Sequence, residues 1–143
     1  IETMKPEDYE EIRALWLNTP GMGLNESDDS QEGIIAYLKR NPNTCFVARK
    51  GARIVGAILS GHDGRRGFIY TAVAVSERKQ GIGSALVDAA LKSLKQEGIK
   101  KVALVVFRKN ETGDAFWEKQ GFSVREDLNY RNKALANLVR IDT

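Results

Sequence analysis

"TAVAVSERKQGIGSALVDAAL", residues 71–91, decides how this chain is read. It leads from an apolar strand-like stretch, through a basic turn with two glycines, into a helical repeat. An ordinary strand-to-helix connection has no need of both Gly81 and Gly83. A backbone that an anion must approach closely does. Ile82, Ala85, Leu86, Ala89, Ala90 and Leu94 recur at helical spacing, which predicts a helix over about 81–97 ending at Gly98. The first turn of such a helix has unpaired N–H groups pointing outward, and its dipole favours negative charge. Arg78 adds a forked cation to that end and Lys79 a point charge. Two readings stay open on these residues: an anion-binding loop, or a loop whose glycines only relieve backbone strain. The P-loop pattern is absent, and the Rossmann fingerprint fails because Leu86 stands where its third glycine belongs.

Working toward the N-terminus, "NTCFVARKGARIVGAILSGHDGRRGFIYTAVAV" (43–75) holds three β-type runs, about 44–49, 53–61 and 67–75. Turns at Lys50-Gly51 and Asp63-Gly64 separate them, so they predict an antiparallel meander. The third run is apolar on both alternating faces (Phe68, Tyr70, Ala72 and Ala74; Ile69, Val73 and Val75), which predicts a central strand covered on both sides. Further upstream, "IETMKPEDYEEIRALWLNT" (1–19) predicts a short strand and a helix with Tyr9, Ile12, Leu15 and Trp16 as its apolar stripe. "PGMGLNESDDS" (20–30) is a loop, followed by a helix near 29–40 that Ser27 or Ser30 would cap and whose apolar face carries Ile34, Ile35 and Leu38. Toward the C-terminus, "KKVALVVF" (100–107) predicts a buried strand parallel to the third run, reached by a right-handed crossover. "NETGDAFWEKQ" (110–120) predicts a short helix stopped by Gly121, and "FSVREDLNYRNKAL" (122–135) a closing pair of strands. The order describes one α+β domain over 1–143, a mixed central sheet flanked by helices.

Composition excludes several function classes. With Cys45 the one cysteine and His62 the one histidine, clustered His/Cys metal sites are ruled out, and no metal is expected. Cys45 lies in "TCFVA" and reads as a buried strand thiol rather than a nucleophile. The net charge of +3 is dispersed among alternating acids and bases, which argues against a nucleic-acid partner. No apolar run is long enough for a bilayer and no signal-peptide pattern opens the chain, so no membrane partner and a cytoplasmic location are expected.

With these motifs in place, the sequence resembles the GNAT acyl-CoA-dependent N-acyltransferases, in particular their small, single-domain bacterial-type branch. The pyrophosphate loop of that family is Arg/Gln-x-x-Gly-x-Gly/Ala after a strand, and "RKQGIG" (78–83) fits it. "LWLN" (15–18), "ARIVGAILSG" (52–61), the 71–91 stretch and "NETGDAFWEKQGF" (110–122) also follow in family order, so the resemblance covers nearly the whole chain. It implies that the strand before the loop parts from its parallel neighbour and that the pantetheine arm of acetyl-CoA lies in the gap. Backbone groups of Thr71, Ala72 and Val73 would pair with that arm, and the Thr71 N–H would stabilise the oxyanion, a donor worth ~2.7–4 kcal/mol. Arg78 and the stretch Lys79, Gln80, Gly81, Ile82, Gly83 and Ser84 would hold the pyrophosphate. Asn110 would contact the CoA arm and is equally suited to cap a helix. Phe116 and Trp117 would flank the thiol end, one of them also serving the core.

Two departures from the family pattern bear on the acid and the base. Trp117 stands where many members carry a tyrosine that reprotonates the thiolate, and indole cannot act as that acid. Tyr130 or Tyr70 would substitute, or water. Gly67 stands where the histone-type branch has a glutamate base, which points to a water-relayed path to an acid elsewhere. Glu26, Asp28 and Asp29, in the loop that covers the acceptor side in this family, would attract a cationic amine or else form a solvated acidic loop. His62 reads as a turn residue rather than the base. The implied activity is transfer of acetyl from acetyl-CoA to a small-molecule or peptidyl primary amine by direct attack. Rival readings are an acyl-CoA-sensing module without turnover and a protein-interaction domain; a homodimer is left open.

Overall fold

In the structure, a computed structural model that describes residues 1–74 and 77–141, the third β-type run ends at Val73. Val75, which the sequence placed at the end of that run, lies outside the described residues. Strands β1 (Glu2–Thr3), β3 (Phe46–Lys50), β4 (Arg53–His62), β5 (Gly67–Val73) and β6 (Val102–Ala103) form one sheet in the order β1-β3-β4-β5-β6. β3, β4 and β5 are the expected antiparallel meander, with Ile58 opposite Phe46 on one side and Thr71 on the other. β5 and β6 are parallel, joined by helix α3 (Ile82–Gln96).

Helices cover the two faces because their stripes match the strand alternation. α1 (Tyr9–Leu17) buries Tyr9, Ile12, Leu15 and Trp16 as its spacing dictates, and α2 (Gln31–Arg40) buries Ile34 and Leu38 against Val47, Ala57 and Leu59. Ile35 stays partly in solvent, so the apolar face of α2 is narrower than the sequence suggested. Of the two expected caps, Ser30 makes the bond: its hydroxyl oxygen accepts the Gly33 N–H at 3.0 Å. On the opposite face Leu86, Val87 and Ala90 of α3 and Trp117 of α4 (Glu111–Lys119) pack on Val55, Ile58 and Ile69. Ala85, counted in the apolar stripe, points outward, and Val87 takes the buried place instead.

Three expectations fail for identifiable reasons. The central, covered strand is β4, buried over Ile54–Gly61, whereas β5 leaves Tyr70 53% exposed. "KKVALVVF" is paired only at Val102–Ala103, and Val105 and Phe107 are half exposed, because this segment is a sheet edge that departs from β5. The closing strand pair does not form. Residues 122–139 are irregular, Leu135 is 95% exposed, and the run is too rich in Arg, Glu, Asp and Asn to alternate as a half-buried strand. The described residues instead close with β7 (Arg140–Ile141), antiparallel to β2 (Leu24–Asn25) of the 20–30 loop.

Candidate active site

The parting of β5 from β6 follows from the strand pairing. The Gly67 N–H donates to the Lys101 carbonyl at 3.0 Å, so Gly67 faces β6, and Ala74 donates to Val55 of β4 at 2.8 Å. Backbone groups alternate sides along a strand. Ile69, Thr71 and Val73 therefore face the β6 side, while the last paired residues are Phe68 and Ala103. Thr71 and Val73 thus turn their amides into a wedge-shaped gap with no strand partner. Ala72 belongs to the other set: its amide faces β4 opposite Ala57 and its methyl joins the α1/α2 core, so it contributes spacing rather than an N–H. The Thr71 hydroxyl is already engaged, donating to the Ala57 carbonyl at 3.1 Å.

The wide end of the gap meets the start of α3. Gly81 is the N-cap at φ 79°, contributes no side-chain cap, and no acid stands in the first turn. The first intrahelical bond runs from Ala85 N–H to the Gly81 carbonyl, which leaves the amides of Ile82, Gly83 and Ser84 without an intrahelical acceptor. A Cβ on Gly81 would meet nothing within 4 Å, so glycine is there for its backbone angle and the space above it is open. Gly83 has a different reason: a Cβ there would come within 3.1 Å of the Phe116 ring. Arg78 places Nε 3.5 Å from the Val73 carbonyl, at the mouth of the gap. Lys79 has φ 67°, the one positive value at a non-glycine among the described residues.

Glu77 was not singled out from the sequence, and it organises this corner. Its carboxylate accepts from Lys50 at 2.8 Å, Arg53 at 3.0 Å and Gln80 at 3.1 Å. Lys50 first, by its hydrogen bond, and then Arg53 hold that carboxyl below the usual glutamate range. The signal was an acid directly before a basic loop, which reads as one more surface charge in a mixed sequence. Across the gap's other wall, the Ser84 hydroxyl accepts from Gln120 at 2.8 Å. Asn110 makes the cap of α4, its Oδ1 accepting the Gly113 N–H at 2.9 Å, and its amide nitrogen remains a donor. Trp117 is the member of the aromatic pair that serves the core. It is buried, edge-on to Phe116 and Phe122 at centroid distances of 5.0 and 5.2 Å, while Phe116 stays partly exposed over Gly83.

On the α1/α2 side of β5 lie the residues expected near an acceptor. The Tyr70 ring lies 5.1 Å from that of Phe68, tilted by 52°. Burial pushes its phenol above the usual value, with the charges of Tyr130, Asp28 and Asp29 adding to the effect. Asp28 and Asp29 also hold the loop, accepting from the Asn25 side chain at 3.1 Å and the Asn25 N–H at 2.8 Å respectively. Burial raises the Asp29 carboxyl above the ordinary carboxylate range. Glu26 is fixed through its backbone, whose N–H donates to Val139 at 2.9 Å. Phe107, a residue the sequence did not flag for the site, sits against the loop here: a Cβ on Gly23 would be 3.1 Å from its ring. His62 lies elsewhere, with Nδ1 accepting from Gly64 and Nε2 2.8 Å from Glu97, which fits a turn residue.

Comparison with known proteins places this fold in one family. Residues 9–122 match the acetyltransferase (GNAT) family. An acetyltransferase of Photorhabdus laumondii is 31% identical over 126 residues, 87% of each chain, and one of Sodalis glossinidius is 29% identical over 136 residues, 94% of each. The PaiA N-acetyltransferase of Thermoplasma acidophilum, solved with coenzyme A, superposes with a TM-score of 0.76 at 20% identity, over 87% of this chain and 89% of that one. This likeness concerns the fold.

Proposed function

The chain belongs to the GNAT acetyltransferase family, and from that premise we propose which of its groups carry the acetyl transfer. Its reaction moves acetyl from acetyl-CoA to an amine. The sensing alternative is not favoured, since the relatives are named acetyltransferases.

The observation that carries the assignment is the early end of the β5–β6 pairing at Phe68 and Ala103, beside a helix start with no side-chain cap and no acid in its first turn. Both features fit acetyl-CoA: an amide-bearing arm needs unpaired backbone groups, and a diphosphate needs free N–H groups and cations. In this reading the Val73 backbone binds the arm, and the Thr71 N–H is aimed at the thioester oxygen, where negative charge develops as an amine attacks. The amides of Ile82, Gly83 and Ser84, with Arg78 and Lys79, hold the diphosphate. The Asn110 amide donates to the arm from the α4 side, and Phe116 walls the same side.

The acceptor approaches from the Tyr70 face. Asp28, Asp29 and Glu26 attract a cationic primary amine there, and Phe107 against Gly23 bounds its entry. Asp29, whose raised pKa makes it a better base than an exposed aspartate, takes the amine proton through water. Tyr70 neighbours Thr71 on the strand and keeps its phenolic proton at neutral pH, so it serves as the acid for the leaving thiolate. That thiol has an ordinary pKa of about 8.5, so the demand on the acid is modest.

The test is thiol release from acetyl-CoA with a panel of primary amines, alongside calorimetric titration of CoA into the protein. CoA binding with amine-dependent thiol release supports the reading. Binding without release from any amine of the panel would leave the Tyr70 face without a catalytic role.

A further inference from the structure

Segment 77–81 is held in an unusual shape with few bonds of its own. Lys79 and Gly81 both have positive φ, at 67° and 79°, and a non-glycine residue stays there only when its surroundings insist. The surroundings that insist meet at one carboxylate. Glu77 has a side chain only 8% exposed, although its partners Lys50 and Arg53 are 55% and 62% exposed. Its Oε2 accepts from Lys50 and from Gln80, and its Oε1 from Arg53. Lys50 and Arg53 flank the β3–β4 turn, so the contact ties the loop to a different hairpin of the sheet. Gln80 is gripped at both ends, its Nε2 on Glu77 and its Oε1 3.4 Å from Lys50 Nζ. Glu77 thus fastens both sides of Arg78-Lys79, the pair that carries the loop's cations.

We propose that Glu77 is a positioning residue for acetyl-CoA, bracing the 78–81 turn against the β3–β4 hairpin so that Arg78, Lys79 and the first amides of α3 converge on the diphosphate. The proposal rests on the assignment of that loop as the diphosphate site. Glu77 touches no reacting atom. It also occupies Lys50 and Arg53, two cations that would otherwise offer the anion a competing, less ordered position.

The experiment is CoA titration calorimetry on the full chain for wild type, Glu77→Gln, Lys79→Gly and the Lys50→Met/Arg53→Met double variant. Glu77→Gln should raise the CoA Kd at least about fivefold, the scale of one or two partly buried ion pairs, with binding stoichiometry unchanged. The Lys50→Met/Arg53→Met variant should weaken CoA as well, because it releases the same brace from the other end. A role in folding alone would lower the stoichiometry and leave Kd in place, and that outcome overturns the proposal. So does tighter binding in Glu77→Gln, which would mean that the carboxylate only repelled the ligand. Lys79→Gly separates the two levels. If it leaves Kd unchanged, the loop assignment itself fails; if it weakens CoA while Glu77→Gln does not, the loop stands and the Glu77 proposal falls.

Discussion

Lys79 holds a backbone angle that glycine would adopt freely, at a cost of roughly 1–2 kcal/mol for a residue with a Cβ. Lys79→Gly should therefore move stability and binding in opposite directions: a melting temperature higher by about 3 °C, and CoA affinity lower by about fivefold from the lost cation. Thermal melts and calorimetry on one preparation check both signs; a rise in both quantities would show that the lysine serves neither the ligand nor the fold. Gly83 teaches the opposite lesson. A substitution there strikes Phe116 before it reaches any ligand, so Gly83→Glu would report α3–α4 packing together with the diphosphate. The pair stood out in the sequence as a loop for an anion or a relief of backbone strain, but which glycine served the backbone and which a neighbouring ring was not legible, since Phe116 lies 33 positions away in the chain. Tyr70→Phe should lower kcat by about 10²-fold, the lower end for a general acid, with the CoA Kd unchanged. Tyr130→Phe should leave kcat within about twofold under the same view of the chemistry. Equal, small effects in both would make solvent the proton source.

At the scale of elements, periodicity gave α1, α2, α3, α4 and the β3–β4–β5 meander, because each buries a regular stripe that the spacing of apolar residues displays. Residues 100–107 and 122–135 resisted the same treatment. An edge segment and a charged extension follow no single period, and their course depends on what else reaches them: β5 at Val102–Ala103, Gly23 at Phe107 and, beyond the second segment, β2 at Arg140–Ile141. The loop 20–30 is likewise fixed from outside, and Phe107 is its apolar contact to the β6 side. Phe107→Ala should raise the KM of the active amine by about tenfold and leave the CoA Kd alone, the lower end of what an apolar pocket contact discriminates. A change in CoA affinity without a change in amine KM would place Phe107 on the other side of the gap.

For the molecule as a whole, stability should fall at both ends of the pH scale. Asp63, held down by the Arg66 and Arg65 N–H groups, and Glu77, held down chiefly by Lys50, have depressed carboxyls. Their contribution is complete above the unfolded values of 3.8 and 4.5 and is lost as pH falls through the folded ones. Cys45 behaves in the reverse sense. Burial pushes its thiol up from 9.0 to about 12, so the stability tied to its proton is complete below pH 9.0 and drains away between the two values. Cys45→Ala should lower the melting temperature at neutral pH through lost packing, yet flatten the alkaline decline. An unchanged alkaline slope would assign that decline to Tyr37, whose phenol burial also raises.

The central claim is that acetyl-CoA lies in the β5–β6 gap with its thioester oxygen on Thr71. A crystal structure with a non-transferable acetyl-CoA analogue measures this directly. The account predicts the acyl oxygen at about 2.7–3.1 Å from the Thr71 nitrogen, and the diphosphate on the amides of Ile82, Gly83 and Ser84. An acyl oxygen held by any other donor, or a diphosphate away from the start of α3, would contradict it.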